Sequence, residues 1–235
     1  HINSGTAALM AAIIIGKRSG YQTKPMYPHN LTMSVLGAAL LWFGWFGFNA
    51  GSALASNGTA TLAFFTTQVA TGTAALSWVL TEKIIRGKPT TLGAVSGAVA
   101  GLVAITPGAG FVGPASAIII GLFAGILCYL AVLLKEKLHY DDSLDVVAVH
   151  GAGGLWGALA TGLFASYGAQ GLFFGNAHQF LVQVIGAAAA IVFSAIMTTI
   201  ILLAIKNTIG LRVTEEQEEQ GLDLSLHGET GYSLQ

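Results

Sequence analysis

All ten Lys and Arg residues of the chain lie in alternate gaps between its apolar stretches. Seven such stretches stand out, at Ile2–Ile15, Leu31–Ala55, Thr61–Leu80, Leu92–Thr106, Ala115–Leu134, Val146–Phe164 and Phe180–Ile205. Lys17, Arg18 and Lys24 follow the first, and Lys83, Arg86 and Lys88 the third. Lys135 and Lys137 follow the fifth, and Lys206 and Arg212 the seventh. The intervening segments Ser56–Ala60, Pro107–Pro114 and Ala165–Gln179 carry none. A membrane-spanning helix needs roughly 20 apolar residues, and cytoplasmic loops collect Lys and Arg. The pattern therefore predicts an all-α polytopic membrane protein with seven spans, its first residue facing outward and its C-terminus in the cytoplasm. A span missed or invented would move the basic loops to the other side midway. The first stretch is short, which we read as a cut end: the chain opens on His1 inside an apolar run, and upstream spans are expected.

Charged residues make up only 9% of the chain, against roughly 25% in ordinary soluble domains. The net charge of −1 gives no electrostatic footprint for nucleic acid. Cys128 is the single cysteine, so no internal disulfide is expected. Residues 1–206 read as the transmembrane bundle and 207–235 as a cytoplasmic tail. The tail contains the acidic run EEQEEQ at 215–220, yet Leu211, Val213, Leu222, Leu224 and Leu226 are too apolar for a mere solvating segment. It is expected to dock on the cytoplasmic loops.

The sixth stretch carries a histidine, His150, within DVVAVHGAGGLWGALATG. An imidazole in hydrocarbon is costly and by default marks a function, although hydrogen bonding across helices is the plainer role. Glycines 151, 153, 154 and 157 let neighbouring backbones approach it. His1 opens a similar pattern, HINSGTAALMAA, as inverted repeats in transporters would produce. In the second stretch Trp45, Phe48 and Ser52 recur at spacings of three and four and share a helix face. Gly93, Gly97 and Gly101 make a stripe on the fourth stretch and Gly121 and Gly125 another on the fifth. We read both as close helix contacts rather than a pore wall.

The blocks HINSG at 1–5, YPHNL at 27–31, GWFGFNAGS at 44–52, RGKPT at 86–90, GLVAITPGAG at 101–110, DVVAVHGAGG at 145–154 and GLRVTEEQEEQGLD from 210 run through the whole chain. In that order they resemble the ammonium transporter family, the Amt, Mep and Rh group, and its bacterial and plant-type branch above all. The resemblance implies eleven helices in two inverted halves, of which this chain is similar to the part from about the fifth helix onward. It implies a homotrimer with one pore per subunit, ammonium or ammonia as cargo, a lipid bilayer as surroundings, and a PII-type signalling protein as a cytoplasmic partner. His1 and His150 match the family's twin pore histidines. Ser52 matches an outer hydroxyl that helps bind the cation, Phe48 one of two phenyl rings closing that vestibule, and Trp45 a pore-lining tryptophan below it. No enzymatic activity, cofactor or metal is implied. Two other readings stay open: an ammonium sensor signalling through its tail, and a bis-histidine haem protein, for which two facing His are a familiar axial pair.

One expectation concerns depth. His1 lies fifteen residues before Gly16, about 22 Å of helix, and His150 only seven after Ser143, about 11 Å. If both helices ended at one level the rings would not meet. Pairing then requires the first helix to tilt or project into the cytoplasm.

Overall fold

A computed structural model of the chain describes residues 1–232. The last three residues of the expected tail, 233–235, lie outside them. Among the described residues there are helices and turns and no strand. Helix α1 spans Ile2–Ile15, α2 Leu31–Gly51, α3 Gly58–Arg86, α4 Thr91–Ile105 and α5 Pro114–Leu138. A π-helical turn, Val147–Ala152, runs directly into α6, Gly153–Phe164; α7 spans Ala177–Thr208 and α8 Glu215–Gln220. Every apolar stretch is a helix, but the bounds differ. Helix α3 outruns its stretch at both ends because capping, not hydropathy, stops it. Asn57 accepts the Ala60 N–H at its start and left-handed Gly87 ends it. The second stretch, read to Ala55, ends as helix at Gly51, and Leu54 turns back at φ 52°.

Helices α2, α5, α7 and the segment Val147–Phe164 are long and apolar enough to cross a membrane. Helix α4 is about 22 Å long, short of a bilayer core. The chain beyond it does not leave the bundle. Ala109 and Val112 are buried in the core, and Thr66 donates to the Ala109 carbonyl at 2.6 Å. Irregular backbone is tolerated at such depth when protein covers it.

Helix α3 is the axis of the bundle, flanked by α2, α4 and α5. Its threonines explain how a weakly apolar helix sits there. Thr67 and Thr71 return their hydroxyls to the carbonyls of Ala63 and Thr67, so neither is left unsatisfied. Both glycine stripes face α3. A Cβ on Gly97 would meet Trp78 and Ala74, one on Gly101 Ala70 and Thr71, and one on Gly121 the Ala70 backbone. These are backbone-to-backbone contacts, as the stripes predict.

The basic residues gather at one end. Arg86 pairs with Glu136 at 2.8 Å, next to Lys135, and Lys83 lies one turn before Arg86 on α3. Arg18 pairs with Asp141, Lys24 with Glu219 and Arg212 with Glu218 at that same end. The opposite end, built from the segments after α2, α4 and α6, has no Lys or Arg.

Candidate functional site

The site begins where α1 crosses the start of α6. A Cβ on Gly5 would collide with the Gly151 backbone, and one on Gly154 would stand 2.8 Å from the His1 Cβ. Only glycine permits this approach, and it puts the two imidazoles side by side. Their centroids are 5.4 Å apart with planes at 29°. His150 sits on the π-helical turn, where the Gly153 N–H reaches back to Ala148 O, five residues away. Such single turns re-aim a side chain and recur at functional sites.

The rings reach the same depth for a reason that the helix arithmetic omitted. The level of Arg18, just past α1, is matched not by Ser143 but by Asp141, to which Arg18 is bonded. Residues 141–145 are not helical. Extended chain covers up to about 3.3 Å per residue against 1.5 Å in a helix. The connector supplies the missing length, and α1 has no need to project.

From α2, Trp45 stacks on His1 with centroids 5.5 Å apart and planes at 13°. Phe48 meets His1 edge-on at 6.4 Å and Trp45 edge-on at 5.6 Å. Trp45 is held from behind: its Nε1–H donates to Thr106 Oγ1 at 2.8 Å, and Thr106 donates in turn to Leu102 O. Trp45 is 9% exposed and Phe48 57%. His1, Trp45 and Phe48 border an apolar groove of about 520 Å³ with Gly37, Leu40 and Gly44. Ser52 stands one turn beyond Phe48, where its hydroxyl donates to the Phe48 carbonyl at 2.5 Å. That bond uses the proton and leaves lone pairs free to accept. Ser52 also lines a cavity of about 200 Å³ with Phe48, Asn49, Thr59 and Thr106. All five predicted residues thus fall along one line, with Ser52 at the end farthest from the histidines.

No hydrogen bond joins the two rings among the described residues. The His150 Nδ1 is buried and lacks any partner. An orphan polar atom in an apolar site calls for an explanation, and a hydrogen bond that merely glued helices together would have satisfied it. Nor do the rings suit axial ligation of haem: they are already neighbours, with the Trp45 indole packed on one of them, and leave no gap for a macrocycle.

Residues that the motifs did not single out support the site. Asp142, buried, accepts the Val147 N–H at 2.7 Å and so caps the π-helical turn. Lys135 Nζ donates to the Asp142 carbonyl at 2.9 Å and to Asp145 Oδ1 at 2.5 Å. Burial raises the Asp145 carboxyl above the usual carboxylate range, against the pull of Lys135. The signal was there in DDSLD, an acidic cluster in a basic loop immediately before the histidine span. Thr106, beside Pro107 at a helix end, gave no signal.

Comparison with known proteins agrees with this arrangement. The sequence profile described as the Ammonium Transporter Family matches residues 1–232. The chain is 53% identical over 245 residues to a protein named "Ammonium transporter" from Mycobacterium bovis, covering 100% of this chain and 51% of that one. Among solved structures, Saccharomyces cerevisiae Mep2 superposes with a TM-score of 0.85 at 38% identity, covering 92% of this chain and 53% of that one. A structure titled "Sensor Amt Protein" superposes with a TM-score of 0.88 at 33% identity, covering 96% and 57%. The chain spans about half the length of the curated relatives it matches.

Proposed function

The chain belongs to the ammonium transporter family of multi-pass membrane proteins, and on that premise we propose that it forms part of a path for ammonium and ammonia across the cytoplasmic membrane. The observation that carries the proposal is the His1–His150 pair, 5.4 Å apart, with Trp45 and Phe48 packed on His1 and a buried, unpartnered nitrogen on His150.

Ammonium and potassium share charge and approximate size, so hydrogen bonding and acidity must separate them. Ammonium is recruited at Ser52, whose free lone pairs accept from N–H, while the Phe48 and Trp45 rings supply cation–π attraction. Potassium has no N–H to give. The apolar groove beyond penalises a bare cation heavily. Ammonium passes by leaving its proton behind and moving as ammonia. Each neutral imidazole has one donor and one acceptor, so the pair can bond to a passing ammonia and hand a proton along. In this reading the basic end is cytoplasmic, the subunits form a homotrimer, and the basic loops with the acidic tail receive a PII-type regulator. The named relatives are transporters, so a sensor without flux is not adopted.

The test is ammonium uptake by cells lacking their own transporters and expressing the full-length gene. Uptake saturating with ammonium and unaffected by excess potassium is expected. Protein present in the membrane without uptake overturns the reading.

A further inference from the structure

Helix α1 and the connector before His150 are joined by a seam of bonds at the basic end. Arg18 gives its backbone N–H and Nε to Asp141 Oδ2, each at 2.8 Å, and Nη2 to Oδ1 at 2.7 Å. The Asp141 side chain is only 1% exposed beneath that guanidinium. Beside it the Tyr21 hydroxyl donates to Tyr140 O at 2.8 Å, and Gln22 Nε2 donates to Glu136 O at 2.9 Å. One residue beyond Asp141, Asp142 caps the turn that carries His150.

These parts close a mechanical loop. Helix α1 is a rod from His1 to the seam, the connector is a strut from the seam to His150, and the two rings complete it. Deeper in the bundle the contact of α1 with this strand of chain is smooth, because Gly5 lies on Gly151 and Gly154 on His1 and Ile2. Helices ordinarily resist sliding by setting side-chain ridges into grooves. Facing glycines offer no ridge, so they allow close approach without fixing register along the axis. Register must be fixed elsewhere, and the seam is where the two segments are locked.

We propose that the Arg18–Asp141 pair sets the relative depth of the His1 and His150 rings, which makes both members positioning residues for the pair. The consequence for flux rests on the relay reading above; the ring spacing does not. Misplacement by about 1 Å in a reacting constellation can cost up to ~100-fold in rate, and one helical residue is a step of about 1.5 Å.

The experiment is structure determination, together with ammonium flux, of the full-length protein carrying Asp141→Ala. Arg86→Ala serves as the control, because it breaks an exposed pair at the same end that touches neither segment. Asp141→Ala is expected to move the centroids apart from 5.4 Å by about one helical step and to lower flux about tenfold or more. Arg86→Ala is expected to leave both unchanged. Should Asp141→Ala fail to accumulate, Asp141→Asn, equal in volume but without the charge, takes the same measurements and is expected to give a smaller displacement. Rings at the original spacing in the Asp141 variant overturn the proposal whatever the flux does. Equal displacement in Arg86→Ala overturns it too, by showing general loosening. Displaced rings with undiminished flux uphold the positioning role and overturn the relay instead.

Discussion

At the scale of single residues, His150 separates chemistry from packing. His150→Ala takes the imidazole from a narrow apolar site and leaves the His1 ring without its neighbour, at about 1–3 kcal/mol for an unmet polar group. It also removes any proton path through the pair. Ammonium flux is expected to collapse or persist only as an unselective leak. His150→Glu restores an ionisable group at that depth, a donor when protonated and an acceptor when ionised. It is expected to retain ammonium conduction while losing discrimination against potassium. Currents for both cations through the two full-length variants check this. Selective transport at the original rate in the alanine variant would make His150 a packing residue.

At the scale of elements, the glycine stripes allow a sharper comparison. Gly121 on α5 rests on the backbone of Ala70 in α3, and backbone cannot swing aside. Gly121→Ala is therefore expected to destabilise by roughly 1–3 kcal/mol through overpacking. Gly186 on α7 has nothing within 4 Å of an added Cβ. There Gly186→Ala should be neutral or gain up to ~1 kcal/mol from helix propensity. Thermal unfolding of the two variants in detergent orders them. Equal melting temperatures would show that α3 and α5 can part without cost. Helix α8 gives a second element-scale test. The Glu218 carboxyl is held below its usual range by the Arg212 guanidinium and then by the Ser19 N–H, which it accepts at 2.7 Å. A carboxylate lowered in the docked state stabilises docking above its free value, near pH ~4.3, and that contribution is lost as pH falls through the lowered value. The tail is thus expected to stay docked at neutral pH and loosen only in acid. Anisotropy of a fluorophore at Gln220→Cys follows this, and Glu218→Gln should loosen the tail already at pH 7.

At the scale of the whole molecule, the tail closes onto the segment that joins the two helices bearing His1 and Trp45. Glu218 and Glu219 hold Ser19 and Lys24, while Tyr232 stacks on His29 and accepts from Asn30, the residue that caps α2. Deleting residues from Thr214 onward in the full-length protein is expected to lower ammonium uptake at equal membrane abundance; unchanged uptake would make the tail passive. Much of this architecture was legible before any coordinates. Apolar length decided where helices lie, because burying backbone in hydrocarbon leaves a helix as the available form. The distribution of ten cations decided which ends lie together, because charge resists crossing the apolar layer. The shared pattern after His1 and His150 picked out the pair. What the linear chain could not express was register. The depth of His150 depends on a non-helical connector and a π-helical turn, neither of which has a hydropathy signature. The short α4 is completed by buried irregular chain, which local propensity reads only as a loop. The partner of Trp45, Thr106, is remote in sequence and close only because glycine lets α4, α6 and α1 converge. Hydropathy acts residue by residue and so survives in the sequence. Depth and pairing arise from contacts between distant segments, and only the folded bundle decides them.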